Sequence, residues 1–326
     1  MAVVVVTGGT AGVGKATALA FAARGDAVAV LARDPARLEE TRAELSGRGG
    51  RALAIAADVA VPAQVEAAAE QIERALGPID IWVNNAMATV FSPVLDIPPE
   101  EFERAVRVTF FGTVYGTLAA LRRMRGRNRG TIVQVGSALS YRAIPLQAPY
   151  CAAKHAVRGF TDSLRSELLH DRIDVHLTMV QLPALNTPQF SWCRSHVERH
   201  PRPVGRIFQP EVAARAIVWA ATHRRRELDV GWPTVEAILG SKFFAKILDR
   251  YLAKTAVDGQ FLDEPLPGGR AGNLFTPVPG PYGAHGRFDR KARSRSMQLW
   301  LNLRRSWLIP ALLGASALLL LLARHA

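Results

Sequence analysis

Cysteine is nearly missing from this chain: 326 residues contain only Cys151 and Cys193. Two cysteines without a secretory signal build no disulfide framework, so a reducing cytoplasm is the expected setting. The opening run MAVVVV has no basic region before it and no cleavage site after it, and it passes directly into TGGTAGVG; it reads as a first strand. No repeat at solenoid spacing is visible, which excludes stacked-repeat architectures. Converging metal ligands are also lacking. His196 and His200 lie four apart beside Cys193, but a zinc site needs three or four ligands and no further cluster is near, so no metal is expected. Acid is short: 28 Asp and Glu stand against 41 Lys and Arg, a formal charge of +13.

The position of that excess matters more than its size. Residues 287–305 hold seven Arg or Lys against Asp289 alone, beside an apolar terminus. A basic cluster so placed fits an anionic membrane surface better than a nucleic-acid groove, and no nucleic-acid partner is expected. At 49% hydrophobic residues the chain can bury a large core, which excludes disorder throughout.

What is present is alternation. Short β-branched runs at 2–6, 27–32, 52–57, 79–83, 131–135 and 175–180 are separated by helical patterns, with a seventh strand expected at 227–231 after PEVAARAIVWAATH. Strands apolar on both faces and separated by helices predict an α/β fold, a doubly wound parallel sheet covered on both sides. This domain is expected to span 1–235. Beyond it come a helical extension at 236–263, then a Pro/Gly-rich and afterwards basic stretch at 264–305, expected as a linker or an extended surface wrap. The run SWLIPALLGASALLLLLA at 306–323 carries no charge. As a helix it spans about 27 Å, just under the about 30 Å of a hydrocarbon core. With Trp300, Arg304 and Arg305 before it and Trp307 near its start, it is expected as a transmembrane or membrane-anchoring helix that leaves the α/β domain on the cytoplasmic side.

VVVVTGGTAGVGKA is a strand, a glycine turn and a helix start. Gly8, Gly12 and Gly14 permit a sharp turn, close approach of a pyrophosphate, and tight helix packing, with phosphate at the positive helix end. Thr10 and Val13 belong to the same loop. The second strand ends in LARD, where Arg33 can pair with a 2′-phosphate, so NADP(H) is favoured over NAD(H). The bland alternative is that Arg33 forms an ordinary surface salt bridge with Asp34, which follows it. Asp58, with Val59 after it, and Asn85 stand at strand ends that face the ligand crevice.

Ser137 ends the fifth strand, and Tyr150 and Lys154 lie four apart in APYCAAKHAV. Residues four apart share a helix face. A free phenol titrates at about 10, and a neighbouring ammonium is expected to lower that value. Ser137 can then hold a substrate oxygen while Tyr150 exchanges its proton.

TGGTAGVG, NNA, Ser137 and YCAAK together resemble the short-chain dehydrogenase/reductase family over about residues 1–235. The resemblance implies a nicotinamide-dependent oxidoreductase acting on a carbonyl/alcohol pair. It implies Tyr150 as acid/base, Ser137 as oxyanion partner, and Lys154 as both phenol modulator and ribose ligand. It also implies a homodimer or homotetramer. Three positions depart from the family pattern: Met87 replaces the glycine of NNAG, Ala184 the glycine of PG, and Thr109 the asparagine of VNxxG. Thr109 is expected to keep the asparagine's water relay in altered form through its carbonyl and hydroxyl. Phe190 and Trp192 are expected at a substrate lid, and Cys151 to be packing. A lipophilic small molecule is the expected substrate, since an anchor gives access to the bilayer. The rival reading is a membrane-attached nucleotide-binding scaffold or sensor with little activity.

Overall fold

Four consecutive valines open β1 (Val3–Thr7), and alternation along a strand sends their side chains to opposite faces. Val3 and Val5 enter one core and Val4 and Val6 the other. That division sets the architecture. The computed structural model describes residues 1–267, 270 and 272–305. After β1 come α1 (Gly12–Ala22), β2 (Ala27–Ala32), α2 (Pro35–Ser46), β3 (Ala52–Ala56), α3 (Pro62–Leu76), β4 (Ile81–Asn84) and the short β5 (Val90–Phe91). There follow α4 (Pro99–Val106), a π-helical turn at Arg107–Phe111, α5 (Gly112–Arg125), β6 (Gly130–Val135), α6 (Ala148–His170) and β7 (Val175–Gln181). The remainder comprises α7 (Gln189–Trp192), β8 (Arg194–Ser195), β9 (Arg199–Pro201), α8 (Pro210–Thr222), β10 (Glu227–Asp229), α9 (Trp232–Thr255) and β11 (Phe261–Pro265).

Seven strands form one parallel sheet in the order β10-β7-β6-β4-β1-β2-β3. The chain reverses direction of winding between β1 and β4, and the crevice at that switch point is where ligands bind in such sheets. Ile72, Ala120, Met124 and Leu168 from α3, α5 and α6 cover one face. Phe21, Leu45 and Ile217 from α1, α2 and α8 cover the other. α1 and α8 carry many alanines, which lets two helices share the sheet face closely.

Polar groups inside are tied together. Asn84 donates to Thr117 Oγ1 and Gln134 Oε1, each at 3.0 Å, while its own oxygen accepts from the Trp82 indole at 2.8 Å. Gly116 is required there, because a Cβ would stand 2.2 Å from Asn84 Oδ1.

Residues 272–293 are no free linker. They form an extended strap laid along the open edge of the crevice, with Leu274 and Phe288 buried. Its carbonyls accept from arginines of the domain, which compensates backbone that no sheet pairs. Residues 297–305 are helical, and Gln298 bonds the Gly231 amide and the Asp229 carbonyl. Among the described residues no helix is long and apolar enough to cross a membrane. The segment expected to do so, 306–323, lies outside them.

Candidate active site

The glycine turn is held by its neighbours. Gly8 and Gly12 have φ of 65° and 54°, a left-handed conformation that costs glycine least. A Cβ on Gly14 would lie 2.1 Å from the Gly8 carbonyl oxygen, so α1 seats directly on the loop. Asn85 donates its side-chain amide to the Thr7 carbonyl at 2.9 Å and so clamps that loop. Ala11, before the first residue of α1, offers no side-chain cap, which leaves the first-turn amides donor capacity for an anion. The Gly12 amide donates to the Gly283 carbonyl of the strap at 3.1 Å.

A continuous cleft of about 440 Å³ runs from this loop to the end of β6, a volume in the range of small-molecule sites. It brings together Gly8, Thr10, Gly12, Val13, Arg33, Asp58, Val59, Asn85, Ser137, Tyr150 and Lys154, and Met87, Ala184, Phe190 and Trp192 also line it. Gly14 stands behind the loop, not on the cleft wall.

At the rim beside Arg33 the alternative pairing of Asp34 with Arg33 is not formed, and Asp34 pairs with Arg37. Asp34 caps α2, accepting from the amides of Ala36 and Arg37 at 3.0 and 3.2 Å, and pairs with the Arg37 guanidinium at 2.8 Å. An aspartate before Pro35 is well placed for that cap. These bonds to Arg37 hold its carboxyl below the usual range against the opposing effect of burial. Arg33 donates to the strap carbonyls of Asn273, Leu274 and Phe275. Burial, with Arg104 and Arg37 nearby, lowers its pKa against the pull of Asp58. Asp58 is itself engaged, with Arg104 and with the Ala60 amide. Arg37 lies over Trp192 and Tyr282, 5.0 and 5.6 Å from the ring centroids, and those rings meet edge to face at 4.5 Å.

At the other end, Ser137 follows β6 and Tyr150 lies in the first turn of α6, both on the wall of the same cleft. Lys154 follows one turn on, its ammonium 5.6 Å from the Tyr150 ring centroid and donating to the Val135 carbonyl at 2.6 Å. Burial dominates both groups. It pushes the Tyr150 phenol well above its ordinary value, with Ser137 opposing, and brings Lys154 down to about 8. The expected lowering of the phenol by the lysine is therefore not seen here: desolvation outweighs an ammonium directed at a backbone carbonyl.

Thr109 sits in the π-helical turn. Its hydroxyl donates to the Ala88 carbonyl and accepts from the Ala88 amide, both at 3.0 Å, and its carbonyl accepts from Thr113 at 2.9 Å. The hydroxyl is thus committed to holding the segment after β4, which removes it from the expected relay. His196 bonds Glu101 at 2.7 Å, and Arg194 bonds the other oxygen of that buried carboxylate at 2.6 Å. Cys193 and Cys151 are buried thiols, each raised to about 11 by burial. Sequence reasoning missed Arg202, Pro203, Val204, Pro233 and Ala237, which line the cleft, and the strap residues around Gly283. Nothing in their local pattern marks them.

A doubly wound sheet with a glycine turn at its switch point, and a serine, tyrosine and lysine gathered at the far end of the same cleft, defines a dinucleotide-binding oxidoreductase fold. The profile of the short chain dehydrogenase family matches residues 2–195, and the chain belongs to that family. An uncharacterized oxidoreductase of Bacillus subtilis, YxnA, is 32% identical over 265 residues, covering 81% of this chain and 74% of that one. The Rattus norvegicus dehydrogenase/reductase SDR family member 7B is 35% identical, and the match covers 53% of this chain and 55% of that protein. The probable oxidoreductase EphD of Mycobacterium tuberculosis is 39% identical over 54% of this chain, and the match spans 29% of EphD. Among solved structures, the alcohol dehydrogenase of Thermococcus sibiricus complexed with 5-hydroxy-NADP has 25% identity and a TM-score of 0.61, over 71% of this chain and 96% of that one.

Proposed function

We propose that the chain interconverts a lipophilic ketone and its secondary alcohol with NADP(H), from a catalytic domain on the cytoplasmic side of a membrane to which residues 306–323 attach it. The observation that carries the chemistry is that Ser137, Tyr150 and Lys154 meet on the wall of the cleft that starts at the glycine turn. The residues present fit a dinucleotide: Gly8 and Gly12 leave no Cβ in the turn, α1 is uncapped, and the cleft is continuous from Arg33 to Tyr150. When bound, the nicotinamide supplies or accepts the hydride. In the reducing direction Ser137 Oγ–H holds the carbonyl oxygen and Tyr150 Oη delivers its proton to it; the reverse direction returns that proton to Tyr150. Lys154, one turn on and 5.6 Å from the Tyr150 ring centroid, would partly offset the burial of the phenolate that results. Arg33, with Arg37 beside it, would meet a 2′-phosphate at the rim. The apolar Phe190, Trp192, Ile144 and Leu182 in the cleft wall suit a lipophilic substrate. A homodimer or homotetramer is the proposed assembly, which sedimentation measures.

Tyr150→Phe tests the reading. It is expected to bind NADPH as the parent does and to lose about 10²- to 10⁴-fold in turnover across a panel of ketones graded by chain length and ring number. One observation favours the rival, a membrane-attached nucleotide-binding scaffold: the Gly283 carbonyl already sits on the Gly12 amide. Turnover by Tyr150→Phe at the parent rate would favour that rival.

A further inference from the structure

Helix α9 breaks the rule that large apolar side chains leave water. Thr234 is its one buried residue. Leu239, Phe243, Phe244, Ile247 and Tyr251 are 50, 65, 57, 63 and 59% exposed. The helix bends at Phe244, whose φ of −134° and ψ of 32° leave the helical range. The two arms approach each other behind the bend, where a Cβ on Gly240 would lie 3.0 Å from Leu248. Phe243 and Phe244 therefore occupy an exposed corner.

Phe243, Ile247 and Tyr251 recur at every fourth position, and Lys242, Lys246, Arg250 and Lys254 recur with the same spacing one residue earlier. Residues four apart on a helix are neighbours, so beyond the bend Ile247 and Tyr251 form an apolar line beside the cations Lys246, Arg250 and Lys254, with Phe243 and Lys242 at the corner before it. All four cations are exposed. The acids of the helix are Glu236 and Asp249, and Asp249 is held by Arg142. An apolar line bordered by cations is the pattern of a helix lying in the headgroup plane of an anionic bilayer. A second copy of this chain suits the surface less well, because its own 41 basic against 28 acidic residues offer the cations no complement. The helix also belongs to the cleft, which Pro233 and Ala237 line. Beside its start, Gln298 holds Gly231, and Trp300 on that neighbouring helix is 43% exposed.

We propose that α9 docks the protein on an anionic phospholipid bilayer, with its apolar line immersed, so that the cleft opens beside the lipid. The docking rests on α9 alone; its use, delivery of a lipophilic substrate, rests on the function proposed above.

The test uses full-length protein carrying Phe243→Cys, labelled with an environment-sensitive fluorophore. Cys151 and Cys193 are buried, so the new thiol takes the label. On phosphatidylglycerol/phosphatidylcholine vesicles the emission is expected to move to the blue and to be quenched by a lipid-borne quencher, with a smaller change on phosphatidylcholine alone. Lys246→Gln with Lys254→Gln is expected to lower partition onto the anionic vesicles about fivefold per charge removed. Phe244→Glu with Ile247→Glu is expected to lower it about tenfold or more and to leave turnover of a water-soluble ketone unchanged. A label that stays in water while the protein pellets with the vesicles overturns the proposal, because attachment then lies elsewhere. So does emission already blue before vesicles are added and dependent on protein concentration, which marks a second copy as the occupant. An immersed label in a protein that reduces no ketone would leave the docking standing and overturn the enzymatic reading.

Discussion

Replacing Lys154 with methionine should make the stability of this protein lose a specific part of its pH dependence. Lys154 is 3% exposed, and its hydrogen-bond partner among the described residues is the Val135 carbonyl. Burial lowers its pKa from 10.5 to about 8. At about 1.4 kcal/mol for each tenfold step, that difference of about 2.5 weighs the charged form against folding by about 3 kcal/mol at most. Because the folded value is depressed, the unfolded chain binds the extra proton between about pH 8 and pH 10.5, and stability rises with pH across that window. The contribution is fully present above the upper value and is lost as pH falls through the lower one. Near neutrality the variant sheds the cost of the buried charge and also loses a charge-assisted bond worth about 1.5–3 kcal/mol, so the two proteins should differ little there. The difference in unfolding free energy, parent minus Lys154→Met, should then grow by about 2–3 kcal/mol toward pH 10.5. Denaturant unfolding of both proteins at matched pH measures it, and other titrating groups cancel. A difference that stays flat across the window would refute the assignment of a desolvated lysine beside Tyr150.

Two further outcomes are expected. Gly14→Ala places a Cβ against the Gly8 carbonyl, and overpacking of about 1–3 kcal/mol should weaken nicotinamide cofactor binding about tenfold by fluorescence titration. Gly126→Ala, where an added Cβ meets nothing within 4 Å, should bind as the parent does. Arg33→Ala should weaken NADPH about ten- to hundredfold and NADH much less, the loss of one charge-assisted contact of about 1.5–3 kcal/mol; equal loss for both would mean that the guanidinium serves the strap alone.

Much of the fold was legible because its signals are local. β-branched runs apolar on both faces mark parallel strands wherever they occur, and the six runs named from sequence all became strands of the sheet, with ends shifted by up to two residues. The seventh, at 227–231, is the short β10. The turn at Gly8–Gly14 is likewise set by backbone needs that a few adjacent residues satisfy. Ser137, Tyr150 and Lys154 could be named because strand ends and helical spacing fix where they stand. The partners of Arg33 and Asp34 could not be named. Asp34 prefers the amides two and three residues ahead, while Arg33 reaches carbonyls about 240 residues away. Thr109 was read for its functional groups, but the π-helical turn aims its hydroxyl at Ala88 and its carbonyl at Thr113.

By itself, then, the order of residues determined the sheet, its two cores and the gathering of hydroxyl, phenol and ammonium at one crevice, since each follows from periodicities of two or four residues. Tertiary structure alone decided the strap across the rim, the phenol's upward shift and the exposure of α9. These depend on which distant surfaces meet and how much water they expel, and neither contact across hundreds of residues nor desolvation is written in any short window of chain.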